Sequence, residues 1–196
     1  MLYLNETHNK IADKYDKVFA RREFSNKLSR YRNVLLSYAE GDVLETGVGT
    51  GKTFKFYNSK QISSYTGIDW SHNMLEKAFE TKQELQKEGK FSLNTTLFKL
   101  MQADVHNMPF SDNSFDSVVD SMSLQSYYDL ETALNEISRV CKPDGKILVI
   151  ARGLSYLSLY NSYLKFRAAK DLIETGQVEH LDFSKIIEKH KFKIIH

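Results

Sequence analysis

The stretch Glu45-Thr46-Gly47-Val48-Gly49-Thr50-Gly51 limits what this chain can be more than any other. It follows a short apolar run, Asp42 to Thr46, that reads as a buried strand. It precedes a segment through Phe54 and Tyr57 that reads as a helix. Glycine lacks a Cβ, so glycines at alternate positions let a backbone turn sharply and come close to a ligand. The helix expected next adds unpaired N–H groups at its first turn, suited to a polar or anionic group. Taken alone, the run is also what a tight strand-to-helix turn looks like. Two other glycine patterns do not fit. Gly51-Lys52-Thr53 matches the end of a P-loop, yet the position of that pattern's first glycine is Thr46. The dinucleotide fingerprint G-x-G-x-x-G fails because the third glycine arrives one residue early.

Beyond this loop, strands and helices alternate. Ser63 to Asp69 reads as a second strand. Ser71 suits the N-cap of a helix whose apolar face is Met74, Leu75, Ala78 and Phe79. Thr95 to Ala103 is a third strand, and Phe115 to Ser121 a fourth after the polar turn Ser111-Asp112-Asn113-Ser114. Leu130 to Cys141 is a helix with Leu134, Ile137 and Val140 inward. Lys142-Pro143-Asp144-Gly145 is a turn, and Lys146 to Ala151 a fifth strand. Before the first strand, Ile11, Tyr15, Val18 and Phe19, then Phe24, Leu28, Tyr31 and Leu35, recur at helical spacing. After the fifth come an aromatic helical region, Leu154 to Ile173, a short helix near Ser184 to His190, and a last strand, Phe192 to Ile195. This alternation predicts an α/β, three-layer Rossmann-like fold with a mostly parallel sheet, binding its ligand at the carboxyl ends of the strands.

With 196 residues and no Gly/Ser-rich linker, the chain reads as a single domain spanning 1–196. Residues 1–40 form a helical N-terminal cap, 41–151 a ligand-binding core, and 152–196 a lid segment with the last strand. A net charge of +2 gives no basic footprint, so no nucleic-acid partner is expected. Cys141 is the only cysteine, which excludes an internal disulfide or zinc cluster, and no metal is expected. No apolar run approaches a bilayer span, and Met1 to Lys17 lacks the apolar core of a signal peptide. A cytoplasmic location is expected, or a mitochondrial one should a targeting segment have been removed.

Several residues gather around the expected ligand edge. Asp69 closes the second strand about twenty residues past the glycine loop, where this architecture holds a ribose-binding acid. Trp70 can lay its ring on an adenine. Asp104, at the end of the third strand, can accept from an adenine amino group while the Val105 N–H donates to a ring nitrogen. Asp120 to Ser123, including Ser121, leave the fourth strand on the ligand side. Asp116 is expected to be structural, bonding to neighbouring backbone.

These segments, with Arg139-Val-Cys-Lys-Pro-Asp-Gly-Lys-Ile-Leu148, resemble the class I S-adenosylmethionine (SAM)-dependent methyltransferases over residues 10 to 151, in the family's order. Within that class the chain looks like the ubiquinone/menaquinone-biosynthesis type and the mitochondrial Oms-type proteins. The resemblance implies SAM as cofactor and S-adenosylhomocysteine as product. It implies that Asp69 binds ribose, that Trp70, Met74 and Asp104 contact adenine, and that Glu45 reaches the methionine amino end through water or loop backbone. Backbone contacts are implied at Gly47 and Gly49, and Thr50 and Gly51 belong to the same cofactor-binding loop. The family's sheet has seven strands, whereas this chain stops at His196, just after the sixth. A missing antiparallel strand is therefore expected, with an exposed sheet edge open to a protein partner.

Methyl transfer is an in-line displacement that needs alignment and exclusion of water, and a base only where the nucleophile carries a proton of high pKa. No catalytic constellation stands out. Tyr127, Tyr128 and His106 are the candidates, although His106 and His72 are expected to face solvent, and Cys141 to be a buried apolar residue. Tyr15, Phe19 and Tyr31, with Tyr156, Tyr160, Tyr163 and Phe166, would roof a pocket for a small aromatic or lipophilic acceptor. The rival readings are a catalytically degenerate methyltransferase fold serving as a structural or assembly subunit, a protein- or RNA-methylating enzyme, and, last, a nicotinamide oxidoreductase.

Overall fold

A computed structural model describes residues 28–91, 93 and 97–151, together with Ser162, Asp182, Lys185, Ile186 and Lys189. Helix α1 (Leu28–Leu36) leads into strand β1 (Gly41–Thr46). Strand β2 (Ile62–Asp69), helix α2 (His72–Lys87), strand β3 (Leu97–Gln102), strand β4 (Phe115–Ser121), helix α3 (Leu130–Val140) and strand β5 (Cys141–Ile150) follow. The sheet order is β3-β2-β1-β4-β5, and every neighbouring pair is parallel. The chain thus starts at the centre, fills one side, and returns to fill the other. The reversal falls between β1 and β4, where crossovers leave in opposite directions and open a crevice at the carboxyl ends.

The central strands β1 and β4 are apolar on successive residues, Val43-Leu44 and Val118-Val119, because both faces are covered. Val43, Tyr65 and Val119 enter a core on one face with Phe54, Tyr57, Leu75 and Ala78. Leu44, Ile68 and Val118 enter the other with Leu134, Ile137 and Val140. The Tyr65 ring stacks on Phe98 at 5.1 Å, and Phe54 meets both edge-on. Helix α3 starts where the Asp129 carboxylate accepts the Thr132 N–H, and it buries Ala133, Leu134, Ile137 and Val140 along one stripe. Each large side chain so buried contributes about 1.5–3 kcal/mol. Helix α2 starts on Ser71, whose hydroxyl accepts the Met74 N–H at 3.2 Å, as its sequence predicts.

Several local expectations are corrected. No α-helix follows the glycine loop: the chain makes a single 3-10 turn, Phe54–Phe56. The buried aromatic rings of Phe54 and Tyr57 pin this segment into the core, so only one turn is made before Tyr57 extends. Phe79 is 52% exposed and Tyr31 59% exposed, so neither belongs to an inward face. The turn Lys142–Gly145 lies inside β5. Pairing there jumps from Phe115↔Cys141 to Ser117↔Lys146, leaving Asp116 opposite the excursion. Asp116 fixes that irregularity: it accepts the Asp42 N–H at 2.8 Å and pairs with Lys142 at 2.6 Å, which holds its carboxyl below the usual range.

Ile11, Tyr15, Val18, Phe19 and Phe24 lie outside the described residues, as do Tyr156, Tyr160, Tyr163, Phe166 and the strand expected at Phe192 to Ile195. Among the described residues no helix is long and apolar enough to cross a membrane.

Candidate cofactor site

The glycine loop lies across the end of β2. The Val48 N–H donates to the Ile68 carbonyl at 3.0 Å, and the Gly49 N–H donates to Asp69 Oδ2 at 2.8 Å. Gly47 and Gly49 hold φ of 58° and 55°, in the left-handed region. They are glycine for different reasons. A Cβ on Gly47 would stand 2.3 Å from the Ser123 Cβ, so this residue must be bare to pack against the segment after β4. A Cβ on Gly49 would meet nothing closer than the Gly47 carbonyl at 3.9 Å, so its α-carbon faces open space.

Asp69 braces this loop against α2, since its Oδ1 accepts the Ser71 N–H at 2.9 Å. Burial pushes its carboxyl up to about 6, against the pull of those backbone bonds. Glu45 lies beneath the loop, buried. It accepts hydroxyls from Thr53 at 2.8 Å, Tyr57 at 2.7 Å and Tyr65 at 2.7 Å. Burial pushes this carboxyl up to about 7, and the three hydroxyls and Arg32 pull the other way. Burial, together with the Glu45 charge, keeps both tyrosines well above their ordinary value, so they remain donors.

Across the crevice, Asp120 ends β4 as a buried hub. Its Oδ1 accepts the N–H groups of Ser123 and Leu124, both at 3.1 Å. Its Oδ2 accepts the hydroxyls of Thr46 at 3.0 Å, Ser123 at 2.7 Å and Tyr127 at 2.7 Å. Ser123 Oγ also lies 3.1 Å from the Thr46 carbonyl, bridging the ends of the two strands. Burial raises the Asp120 pKa. Next to it, Ser121 Oγ accepts from Arg32 Nε at 3.2 Å, which brings a buried guanidinium from α1 to the end of β4.

Beyond β2 and β3 an aromatic group forms. His106 stacks on Tyr128 with centroids 3.7 Å apart, and Trp70 meets Tyr128 edge-on at 5.8 Å. His106 is buried rather than solvent-facing, because Asp104 draws it in. Asp104 Oδ1 accepts the His106 backbone N–H at 2.9 Å and lies 2.6 Å from Nδ1. Nε2 faces the Asp129 N–H at 3.4 Å, so the proton belongs on Nδ1. His72 is exposed beside Glu76, as expected. The loop carrying His106 is held from α3. Arg139 donates to the carbonyls of Phe110 at 2.7 Å and Met108 at 3.1 Å, and Glu136 accepts the Met108 N–H at 2.7 Å.

The fold therefore gathers Gly47, Gly49, Asp69, Trp70, Asp104 and Tyr128 around one strand-end region. Met74 and Val105 lie in the cores and Thr50 within the loop, all buried. Sequence reasoning missed Arg32, Asp120 as a hub, and the Glu136–Arg139 brace. Arg32 and Arg139 meet partners far away in sequence, Ser121 and Phe110, and Asp120 joins distant Thr46 to its near neighbours Ser123, Leu124 and Tyr127. Only the run of polar residues Asp120 to Ser123 at a strand end hinted at the second.

Residues 44–149, more than half of the chain, match a family described as a methyltransferase domain. The chain is 29% identical over 192 residues to the mitochondrial methyltransferase OMS1 of Saccharomyces cerevisiae, covering 94% of this chain and 41% of that protein. It is 26% identical over 179 residues to the ubiquinone/menaquinone biosynthesis C-methyltransferase UbiE of Geotalea daltonii, covering 83% and 73%. The crystal structure of the YcgJ protein of Bacillus subtilis shares the fold, with a TM-score of 0.65 at 22% identity, covering 85% of this chain and 67% of that one. The chain thus spans less than half the length of the yeast relative. A glycine loop bound to an acid at the end of β2, on a sheet ordered 3-2-1-4-5, accords with the family match: this chain belongs to the class I SAM-dependent methyltransferases.

Proposed function

We propose that the chain transfers a methyl group from SAM to a small aromatic or lipophilic acceptor, with the reduced ring of a quinone as the favoured class. The observation that carries the cofactor half is Asp69. Its carboxylate is tied to the glycine loop and to α2 by one bond per oxygen, which leaves each oxygen a lone pair for a ribose hydroxyl. The open face of Gly49 beside it is a cradle that any Cβ would begin to fill. These features fit a nucleoside. When bound, SAM supplies an electrophilic methyl group on a sulfonium.

In this reading Trp70 and Asp104 hold the adenine, with Val105 and Met74 shaping the floor behind it. Gly47, Gly49, Thr50 and Gly51 carry the loop backbone around the methionine part. Glu45 acts from below, by fixing the loop through Thr53 rather than by touching the ligand. Ser121 and Arg32 border the methionine end. Of the candidates for taking up a proton, Tyr127 has its hydroxyl bound to Asp120, and both nitrogens of His106 face partners. Tyr128 keeps an exposed ring edge, with its hydroxyl 3.5 Å from Asp104. The quinone class is supported by the UbiE relative, and the mitochondrial alternative for location by the yeast one.

Titration calorimetry with SAM and S-adenosylhomocysteine tests this directly. Micromolar binding that Asp69→Ala reduces at least tenfold is expected, along with a ligand-induced rise in the thermal midpoint. A folded protein that binds neither compound would point instead to a structural subunit built on a methyltransferase fold.

A further inference from the structure

Gln125 stands apart among the described residues. It is 2% exposed, and neither its Oε1 nor its Nε2 has a hydrogen-bond partner. A buried amide with both ends unpaired is rare in a native structure, because the cost of removing it from water is not repaid within the protein. The residue is not on a slack loop. It occupies the 3-10 turn Leu124–Ser126, just beyond the carboxyl end of β4. That turn is clamped on both sides: the Leu124 N–H donates to Asp120, the Ser126 N–H donates to the Ser123 carbonyl at 2.8 Å, and the Tyr127 hydroxyl donates to Asp120. The same turn borders the glycine loop, since Gly47 packs against Ser123 and the Tyr127 hydroxyl. An unpaired amide is thus held within two residues of both Ser123 and Tyr127, the side chains that stand against Gly47 of the glycine loop.

We propose that Gln125 is a specificity-determining residue of the acceptor pocket, its amide taking up a neutral hydroxyl of the methyl acceptor. This rests on the methyltransferase reading. The chemistry of the amide selects the group. Nε2 donates and Oε1 accepts, so a hydroxyl satisfies both ends, accepting from one and donating to the other. A carboxylate or phosphate would leave Oε1 facing an anion, and an ammonium would leave Nε2 facing a cation. Sites built to bond a buried hydroxyl reject analogues lacking it far more strongly than apolar pockets reject a change of size.

The test uses the whole chain saturated with S-adenosylhomocysteine, and two probes that differ by one donor, 1-naphthol and 1-methoxynaphthalene. The wild-type complex is expected to bind the naphthol at least tenfold more tightly. Gln125→Met, of similar length, should bring the two probes within about twofold of each other. It should leave S-adenosylhomocysteine affinity within about twofold and the thermal midpoint no lower, because it removes an unpaired polar group. Loss of midpoint and cofactor affinity together in Gln125→Met would overturn the proposal, since the amide would then serve the fold. A wild-type complex that binds the probes equally, or binds neither, would overturn it too while leaving the methyltransferase reading standing. Failure of the wild type to bind S-adenosylhomocysteine at all would remove both.

Discussion

Thr46 and Asp120 are register partners across the seam between β1 and β4, and the Thr46 hydroxyl donates to Asp120 Oδ2 at 3.0 Å. Two strands that lie far apart in the chain are thereby tied at the point where the crevice opens. Asp120→Ala strips the acceptor from three hydroxyls and two backbone N–H groups in a buried place. Loss of about 2–3 kcal/mol in a urea unfolding experiment is expected. Tyr127→Phe removes one of those donors and should cost about 1 kcal/mol. It should impair turnover more than cofactor binding; equal loss of both would assign Tyr127 to the cofactor pocket.

The two bare α-carbons of the loop should respond differently. Gly47→Ala forces a Cβ into Ser123, whereas Gly49→Ala points one into open space. Both carry the left-handed backbone cost of about 1–2 kcal/mol. Gly47→Ala should therefore lower the thermal midpoint well beyond Gly49→Ala. Gly49→Ala should lose S-adenosylhomocysteine affinity, about tenfold or more, out of proportion to its small stability loss. Similar melting of both variants would refute the distinction.

Two raised carboxyls make stability depend on pH. Glu45 moves from 4.5 to about 7 and Asp69 from 3.8 to about 6, in both cases chiefly through burial. A pKa raised by folding contributes stability that is fully present below the unfolded value and is lost as pH rises through the folded one. The unliganded protein should thus weaken between about pH 4 and pH 8, by roughly 3 kcal/mol from Glu45 alone. Glu45→Gln should flatten most of that slope in thermal scans. In the proposed binding mode cofactor binding runs the other way, because ribose hydroxyls would donate to the charged form of Asp69. S-adenosylhomocysteine affinity should fall about tenfold from pH 7 to pH 5, with proton release visible as a buffer-dependent enthalpy. An affinity flat across that range would separate Asp69 from the ribose.

The chain spelled out its sheet and its glycine loop through local signals: alternation, turn residues and the Ser71 cap. The same local signals misjudged the segment after Gly51, because burial of the Phe54 and Tyr57 rings overrode the helical spacing. They also left His106 facing water, since nothing in Asp104-Val105-His106 announces that the carboxylate will turn back on the imidazole two residues later. Asp120 looked like one polar residue among several: its bonds from Ser123, Leu124 and Tyr127 need the turn after β4 to fold back on it, and its bond from Thr46 appears only when β1 and β4 are side by side.

Arg139 offers a sharper test of such long-range support. It joins the carbonyls of Phe110 and Met108 to Glu136, so one planar guanidinium, beside the direct bond from the Met108 N–H to Glu136, holds the loop carrying Asp104 and His106. Lysine cannot reproduce that fork. Arg139→Lys is expected to cost about 1–2 kcal/mol and to weaken S-adenosylhomocysteine binding several-fold through the loop. Unchanged affinity in a destabilised variant would show that the loop keeps its shape without the brace.

The reversal of strand order at the β1–β4 seam also dictates when the site can exist. Its two walls are separated in sequence by β2, α2 and β3, so Thr46 must close a span of 74 positions to find Asp120. Loop closure over such a span is paid for before its contacts reward it, so pairing of this kind is slow. The Asp69 wall, by contrast, meets the glycine loop over only 20 positions. During synthesis the contact between Gly49 and Asp69 can therefore form while the Asp120 wall is still missing, and a nascent chain halted before Phe115 would carry only one side of the crevice.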